Sequence, residues 1–287
     1  MKALVVGASG LVGSFLMDAF RASHEVTGTY HRNAADGLVA LDMTDARATR
    51  ELVVKLAPEV VLCPAADPNV DRCEQQPAET RRINVEGTRS VVEAARAADS
   101  LLVWFSSDYV FDGAAPPYDE DAPCRPLNEY GRQKVACEEL VRSYERSIVA
   151  RVSAVYGWEA AAKNYVVRLI DRLRKGERAK AWTDQVLTPT YAPNLGAVMR
   201  ELVASGATGI FHCCGAEPMD RHRFSRLIAT TFGLDPDLID PVTSDEFQPT
   251  PTPRPRNVGM LVDKVRRVVR TTVATPAAGL AAMRASR

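Results

Sequence analysis

The feature that most constrains the fold is an alternation of short apolar segments with amphipathic ones. Strand-like runs rich in Val and Leu cover residues 3–8, 24–30, 59–65, 101–107 and 147–157. Helical periodicity covers residues 11–23, 46–58, 78–99 and 129–145 between them. Because the predicted strands are apolar throughout, they are expected to form a parallel sheet covered by helices on both faces. The pattern therefore predicts an α/β fold built on a doubly wound parallel sheet.

The rhythm loosens after Gly157. Helical patterns cover residues 164–177, 194–206 and 221–234, and one strand-like run covers residues 209–215. Residues 247–257 contain four prolines and cannot form regular structure. We therefore expect a nucleotide-binding domain of residues 1–157, to which residues 185–215 return, and a smaller C-terminal substrate-binding lobe formed mainly by residues 158–287.

Composition excludes several classes of protein. The net charge is zero, which gives no support to nucleic-acid binding. Residues 1–162 carry 17 basic and 24 acidic residues, and residues 163–287 carry 19 and 12, so a basic C-terminal half can face an anionic small molecule or simply be a solvated surface. No apolar run is long enough to span a membrane. Six cysteines without CxxC spacing and four histidines without ligand spacing indicate reduced thiols, a cytoplasmic protein and no metal site.

A glycine-rich turn separates the first predicted strand from the first helix. Gly7, Gly10 and Gly13 form GxxGxxG, and Ser9, Leu11 and Val12 lie between them. Glycine permits both a positive φ in the tight turn and a close approach to a diphosphate. The start of the helix then supplies N–H donors for phosphate. The alternative is a glycine-rich turn without a ligand, but the strand–turn–helix context favours a Rossmann-type dinucleotide site.

The end of the second strand indicates which dinucleotide is bound. An NAD site usually has an acidic residue about 20 residues after the glycines, but this strand ends in "TYHR". Arg32 suits a 2′-phosphate, so NADP(H) is preferred over NAD(H), unless Arg32 is only an exposed loop residue. Asp42 and Met43 are candidates to line an adenine pocket. Ala65 and Ala66, at the end of the third predicted strand, are small enough to let the cofactor pass close by.

A candidate catalytic set follows the fourth predicted strand. Tyr130 and Lys134 form YxxxK, which places both side chains on one face of the predicted helix. A neighbouring ammonium is expected to lower the pKa of the phenol toward the working range. Ser107 lies at the carboxyl end of its strand, where open parallel sheets bind ligands, and can hydrogen-bond a carbonyl oxygen. The alternative for Ser107 is an ordinary turn serine, and Ser106 is interpreted as one.

These motifs together resemble the extended short-chain dehydrogenases/reductases. More specifically, "SSDYVFDG" (106–113) resembles the signature STDYVFDG of dTDP-4-dehydrorhamnose reductases. The likeness covers nearly the whole chain and continues in "NVDRCEQQP" (69–77), "INVEGT" (83–88), "DQVLTPTYAPNL" (184–195) and "RPRN" (254–257).

The resemblance implies a reaction and residue roles. Ser107, Tyr130 and Lys134 would form the catalytic triad, and hydride would pass from the nicotinamide to the C4 ketone of a nucleotide-linked 6-deoxy sugar. Tyr130 would protonate the forming alkoxide, while Lys134 would hold the nicotinamide ribose. Arg256 and Asn164 would lie near the nucleotide diphosphate. A homodimer is the one protein assembly that the resemblance suggests.

Several positions depart from the family pattern. Ala154 stands where the family has a tryptophan, and Asp67 and Pro68 stand where it commonly has Tyr-Thr, so the sugar pocket is expected to differ. The candidate substrate-binding residues are Asp67, Ser107, Asp108, Ala154, Asn164 and Arg256. Asp108 is interpreted as more structural than chemical.

Two other functions are left open. The first is a non-catalytic NADP-binding regulatory subunit like the β subunit of methionine adenosyltransferase, which is similar to this family. The second is a sugar-nucleotide epimerase or dehydratase, in which Asp108 would be an additional acid–base residue.

Overall fold

A computed structural model describes residues 1–159 and 161–287. The strands are β1 (Lys2–Val5), β2 (Glu25–Tyr30), β3 (Leu38–Ala40), β4 (Val60–Cys63), β5 (Leu101–Ser107), β6 (Ser147–Val152), β7 (Val155–Tyr156), β8 (Ala179–Trp182), β9 (Val186–Leu187), β10 (Thr190–Tyr191), β11 (Gly209–His212), β12 (Met219–Asp220) and β13 (Ile239–Val242). The α-helices are α1 (Leu11–Arg21), α2 (Ala46–Leu56), α3 (Val70–Gln75), α4 (Pro77–Arg81), α5 (Gly87–Ala97), α6 (Glu129–Arg142), α7 (Tyr165–Arg174), α8 (Ala192–Ala204), α9 (Arg221–Thr231), α10 (Asp263–Arg266) and α11 (Pro276–Ala285).

A parallel sheet of seven strands organises the molecule, in the order β11-β6-β5-β4-β1-β2-β3. Its strand order reverses between β1 and β4, so the crevice at their carboxyl ends is the switch point where such sheets bind ligands. The predicted doubly wound, Rossmann-type α/β fold is confirmed.

Two apolar cores cover the faces of the sheet. On one face α1 and α8 pack together, and residues 258–273 complete the core around buried Phe20 and Met199. On the other face α2, α5 and α6 bury Trp104 and Val91. Burial on both sides explains why strands such as β4, whose four residues are all buried, are apolar throughout.

A smaller lobe follows β7. Its core joins α7, α9 and α11 to the parallel pair β8 and β13, and includes Ile170, Phe224 and Leu280. The chain returns to the main sheet at β11, which pairs with β6. Within the described residues, no helix is long and apolar enough to cross a membrane.

The predicted helix over 78–99 is wrong in one respect. A π-helical turn over Arg82–Glu86 separates α4 from α5. This turn carries buried Asn84, whose amide hydrogen-bonds the backbone of Asp67 and donates to the Gln133 side chain over 2.8 Å. The interruption therefore connects the segment after β4 to α6, the helix that carries Tyr130.

Candidate active site

The glycine loop is shaped by its packing against the end of β4. Gly7 has a φ of +89°, and a Cβ there would lie 2.9 Å from the Cβ of Ala65. A Cβ on Gly13 would lie 2.2 Å from the carbonyl oxygen of Gly7. Both positions therefore require glycine whether or not a ligand binds beside them. Gly10 differs, because the nearest atom to its Cβ would be 3.5 Å away.

The start of α1 fits a bound phosphate. Gly10 is the N-cap residue, and no side chain in the described part of the chain caps the helix. The first N–H groups of a helix, here those of Leu11 and Val12, have no partner within the helix. Partly exposed Ser9 precedes them. The bare space over Gly10 and these N–H donors together suit the diphosphate of a dinucleotide.

The residues predicted to surround the adenosine follow β2, β3 and β4. Arg32 is exposed and, among the described residues, makes no ion pair. Asp42 lies 3.6 Å from the His31 ring, and Met43 is buried against Gly87. Ala65, Ala66 and Asp67 follow β4 and are partly buried. All of these segments leave the same edge of the sheet.

Asn128 and Gly131 place Tyr130 and Lys134 at that edge. Asn128 caps α6 by accepting from the N–H of Gly131 over 2.9 Å. A Cβ on Gly131 would lie 2.3 Å from the carbonyl oxygen of Tyr109, so glycine allows α6 to approach the end of β5. Tyr130 and Lys134 are buried, with the Lys134 Nζ 5.7 Å from the centre of the phenol ring.

Ser107 joins this pair from the last position of β5. Its hydroxyl lies close enough to the Tyr130 phenol to favour the phenolate by hydrogen bonding. The Tyr109 ring packs edge-on against Tyr130, with 5.8 Å between the ring centres. The structure therefore brings together the three residues predicted to be catalytic.

The protonation of Tyr130 differs from the prediction. Burial raises the pKa of its phenol, Asp108 raises it further, and hydrogen bonding to Ser107 opposes the rise. The Lys134 side chain donates to the Phe105 carbonyl over 2.7 Å and lies 4.3 Å above the Trp104 ring. The predicted lowering of the Tyr130 pKa is wrong, because burial of the phenol has the largest effect and raises the pKa. A protonated phenol is nevertheless what a proton donor requires.

Asp108 is buried beside Ser107. Its Oδ1 accepts from the Ser107 hydroxyl over 2.9 Å, and its Oδ2 accepts from the Ser153 hydroxyl. Burial raises the pKa of the Asp108 carboxyl to about 6, while hydrogen bonds from the two serines and the charge of Arg221 oppose the rise.

A family model described as "RmlD substrate binding domain" matches residues 1–286. The chain belongs to this family. It is 32% identical over 260 residues to the dTDP-4-dehydrorhamnose reductase of Mycolicibacterium smegmatis, covering 88% of this chain and 76% of the relative. It is 31% identical over 263 residues to methionine adenosyltransferase 2 subunit beta of Xenopus tropicalis, covering 88% and 78%.

The fold of this RmlD-family chain matches that of a solved relative. A crystal structure of dTDP-4-dehydrorhamnose reductase from Bacillus anthracis in complex with NADP has a TM-score of 0.91 and 24% identity, covering 100% of this chain and 99% of the other. The family resemblance predicted from the sequence is confirmed.

In this RmlD-family chain, the Asp67 carboxylate is not free to face a sugar. It forms an ion pair with Arg72 and accepts from the N–H of Asn69 over 3.1 Å. Ala154, at the position where the family resemblance predicts a tryptophan, is exposed and has a left-handed φ of +41°. The pairing with Arg72 therefore limits the charge that Asp67 can offer a ligand, and the effect of Ala154 on the pocket stays a prediction.

Two other predicted substrate contacts have different neighbours. Asn164 caps α7, and its amide also donates to the Gly157 carbonyl and the Glu159 carboxylate. Arg256 is exposed and pairs with Asp184 and Asp245. These contacts use the polar atoms of Asn164 and direct Arg256 toward an acidic surface.

Sequence reasoning missed two arginines beside the catalytic set. Arg254 donates to Asp71 over 2.9 Å and lowers the pKa of Tyr109 by charge and hydrogen bonding, although burial raises that pKa overall. Arg221 lies 4.6 Å from the Tyr165 ring centre and acts on Asp108 by its charge. Arg221 is the first residue of α9, where the helix dipole disfavours a cation. This unfavourable position is the sequence feature that could have marked Arg221 as a functional residue.

Proposed function

We propose that this chain is an NADPH-dependent reductase acting on the C4 ketone of a nucleotide-linked 4-keto-6-deoxy sugar. The proposal depends mainly on one observation. Ser107, Tyr130 and Lys134 meet at the carboxyl edge of the sheet, and the glycine loop before α1 lies at the same edge. Membership of the RmlD substrate binding domain family supports it. The M. smegmatis dTDP-4-dehydrorhamnose reductase, a relative of 32% identity, supports the substrate class.

Each residue of the set has a role in ketone reduction. Bound NADPH supplies the hydride. Tyr130, which burial keeps protonated, donates its phenolic proton to the oxygen of the former carbonyl. Ser107 hydrogen-bonds the same oxygen and aligns it with the phenol. Lys134, whose Nζ lies 5.7 Å from the centre of the phenol ring, would hold the hydroxyls of a ribose.

The cofactor would lie along the carboxyl ends of β1 to β5. The diphosphate would bind to the N–H groups of Leu11 and Val12 over Gly10, with Ser9 beside them. Arg32 would face the 2′-phosphate. Asp42, Met43, Ala65 and Ala66 would line the remainder of the adenosine site.

The substrate would approach from the side of the small lobe. Arg221 and Arg254 offer positive charge to an anionic nucleotide, and Asp108 and Ala154 adjoin the sugar position. We place Asp67 at the rim of this site, because its carboxylate is already neutralised by Arg72.

The preference for NADPH is tested by Arg32→Ala. We expect the variant to bind NADPH about tenfold more weakly, since a hydrogen bond to a charged group is lost, and to bind NADH unchanged. The measurement is fluorescence titration of the two reduced dinucleotides. Arg21→Ala, which removes an exposed arginine from the end of α1, is the matched control. Tighter binding of NADH than of NADPH by the unaltered protein would overturn the preference.

Turnover tests the reaction itself. The purified chain is incubated with NADPH and a panel of nucleotide-linked 4-keto-6-deoxy sugars that differ in base and sugar configuration. We expect NADPH to be consumed with at least one of them, and one alcohol to form for each NADPH oxidised. Tight NADPH binding without turnover of any sugar would contradict the proposal.

A dinucleotide-binding subunit without its own turnover is the second candidate. The 31% identity to methionine adenosyltransferase 2 subunit beta favours it, and so does the loss of aromatic surface at Ala154. The retained Ser107, Tyr130 and Lys134 favour the reductase. Binding without turnover would therefore support this second function.

A further inference from the structure

The hydroxyl of Ser107 has a single proton, and the structure shows where it points. Ser107 donates to Oδ1 of Asp108 over 2.9 Å and accepts from the N–H of Tyr109 over 3.3 Å. The Tyr130 phenol lies near the same hydroxyl, since hydrogen bonding to Ser107 acts on its pKa. In this arrangement Ser107 has no proton left for a substrate carbonyl, although the proposed reaction requires one.

Asp108 is held in place on its other side as well. Ser153 donates to Oδ2, and the Ser153 oxygen in turn accepts from the N–H of Thr188 over 3.1 Å. Asp108 is only 3% exposed, and neither oxygen forms an ion pair within the described residues. The carboxyl is thus buried between two hydroxyl donors without a direct cationic partner.

We propose that Asp108 competes with the substrate for the proton of Ser107, so that protonation of Asp108 frees Ser107 to donate to the carbonyl oxygen. Asp108 is then a positioning residue, and this inference rests on the proposed reductase function. A protonated Asp108 donates to Ser107 instead of accepting from it. Ser107 and Tyr130 can then both direct their protons at the substrate.

The titratable groups around Asp108 allow its carboxyl to change protonation near neutral pH. The groups that face Asp108 are Tyr109 from its own segment, Tyr130 from α6, Cys214 after β11 and Arg221 from α9. Burial raises the pKa of the two phenols and of the thiol, so these three stay neutral. Since burial raises the Asp108 pKa to about 6, its carboxyl is the group that titrates here.

The pH dependence of kcat/KM with a sugar from the panel tests the proposal. For the unaltered protein we expect kcat/KM to rise about tenfold as the pH falls through about 6, because a hydrogen bond to the substrate becomes available. Asp108→Asn, which cannot ionise, should stay at the high plateau across this range. Ser153→Ala should move the midpoint to higher pH, because it removes a hydrogen bond that stabilises the carboxylate. An Asp108→Asn profile that keeps the original midpoint would overturn the proposal.

A second measurement does not depend on activity. In protein labelled with ¹³C at aspartate carboxyl groups, one resonance should titrate near pH 6 and be missing from Asp108→Asn. Ser107→Ala should shift that titration to higher pH, and Ser107→Thr, which keeps the hydroxyl, should restore it. An unchanged titration in Ser107→Ala would refute the contact on which the competition depends. If this coupling is found but no sugar is turned over, the proposed function fails instead.

Discussion

Replacing Tyr130 with Phe is expected to lower kcat by about 10²–10⁴-fold, the usual contribution of a positioned general acid. The phenol is the proton donor in the proposed reduction, and burial keeps it protonated through the neutral range. The ring still packs against Tyr109, so the fold should be retained. The dissociation constant for NADPH should change little, because the hydroxyl acts on the carbonyl oxygen. Steady-state turnover and fluorescence titration measure the two quantities separately.

Tyr144→Phe is the matched control for Tyr130→Phe. Tyr144 follows α6, is equally buried, and donates its hydroxyl to the Ser100 carbonyl over 2.8 Å. Losing that hydrogen bond should cost about 1 kcal/mol of unfolding free energy and leave kcat unchanged. If Tyr130→Phe kept more than about a tenth of the activity, the phenol would not be the proton donor.

Local patterns were enough to predict the sheet and the residues that meet at its carboxyl edge. The predicted strand 101–107 has the bounds of β5, since its first five residues form the apolar run expected of a strand buried on both faces. Tyr130 and Lys134 needed only helical spacing. The glycine loop needed only its position between β1 and α1. Each of these features depends on residues close together in the sequence.

The remaining features depend on contacts between distant segments. β8 and β13 pair across the small lobe, but four residues each, with a proline in β13, give almost no strand signal. The sequence could not show that Arg254, and not Arg256, lies beside Tyr109, because this depends on the path of an irregular loop. The contact of Asp67 with Arg72 likewise forms only once α3 is folded.

The buried pair of Arg151 and Glu138 should dominate stability around the site. Arg151 binds Glu138 through two hydrogen bonds of 2.9 and 2.8 Å, and their side chains are 2% and 5% exposed. Ser106 also donates to Glu138, so β5, β6 and α6 meet at this carboxylate. Arg151→Met leaves Glu138 buried without its counter-charge and should lower the free energy of unfolding by about 3–5 kcal/mol. Urea denaturation at neutral pH measures the change.

Two further variants serve as controls for Arg151→Met. Arg47→Met breaks the exposed pair of Arg47 and Glu51 and should leave the free energy of unfolding nearly unchanged. Arg151→Met combined with Glu138→Gln removes both charges and should recover much of the lost stability, since the penalty of Arg151→Met comes from an uncompensated buried charge. If Arg151→Met alone stayed within about 1 kcal/mol of the unaltered protein, this account would be contradicted. Because α6 carries Tyr130 and Lys134, turnover by the double variant then shows whether the ion pair positions these residues or only stabilises the helix that bears them.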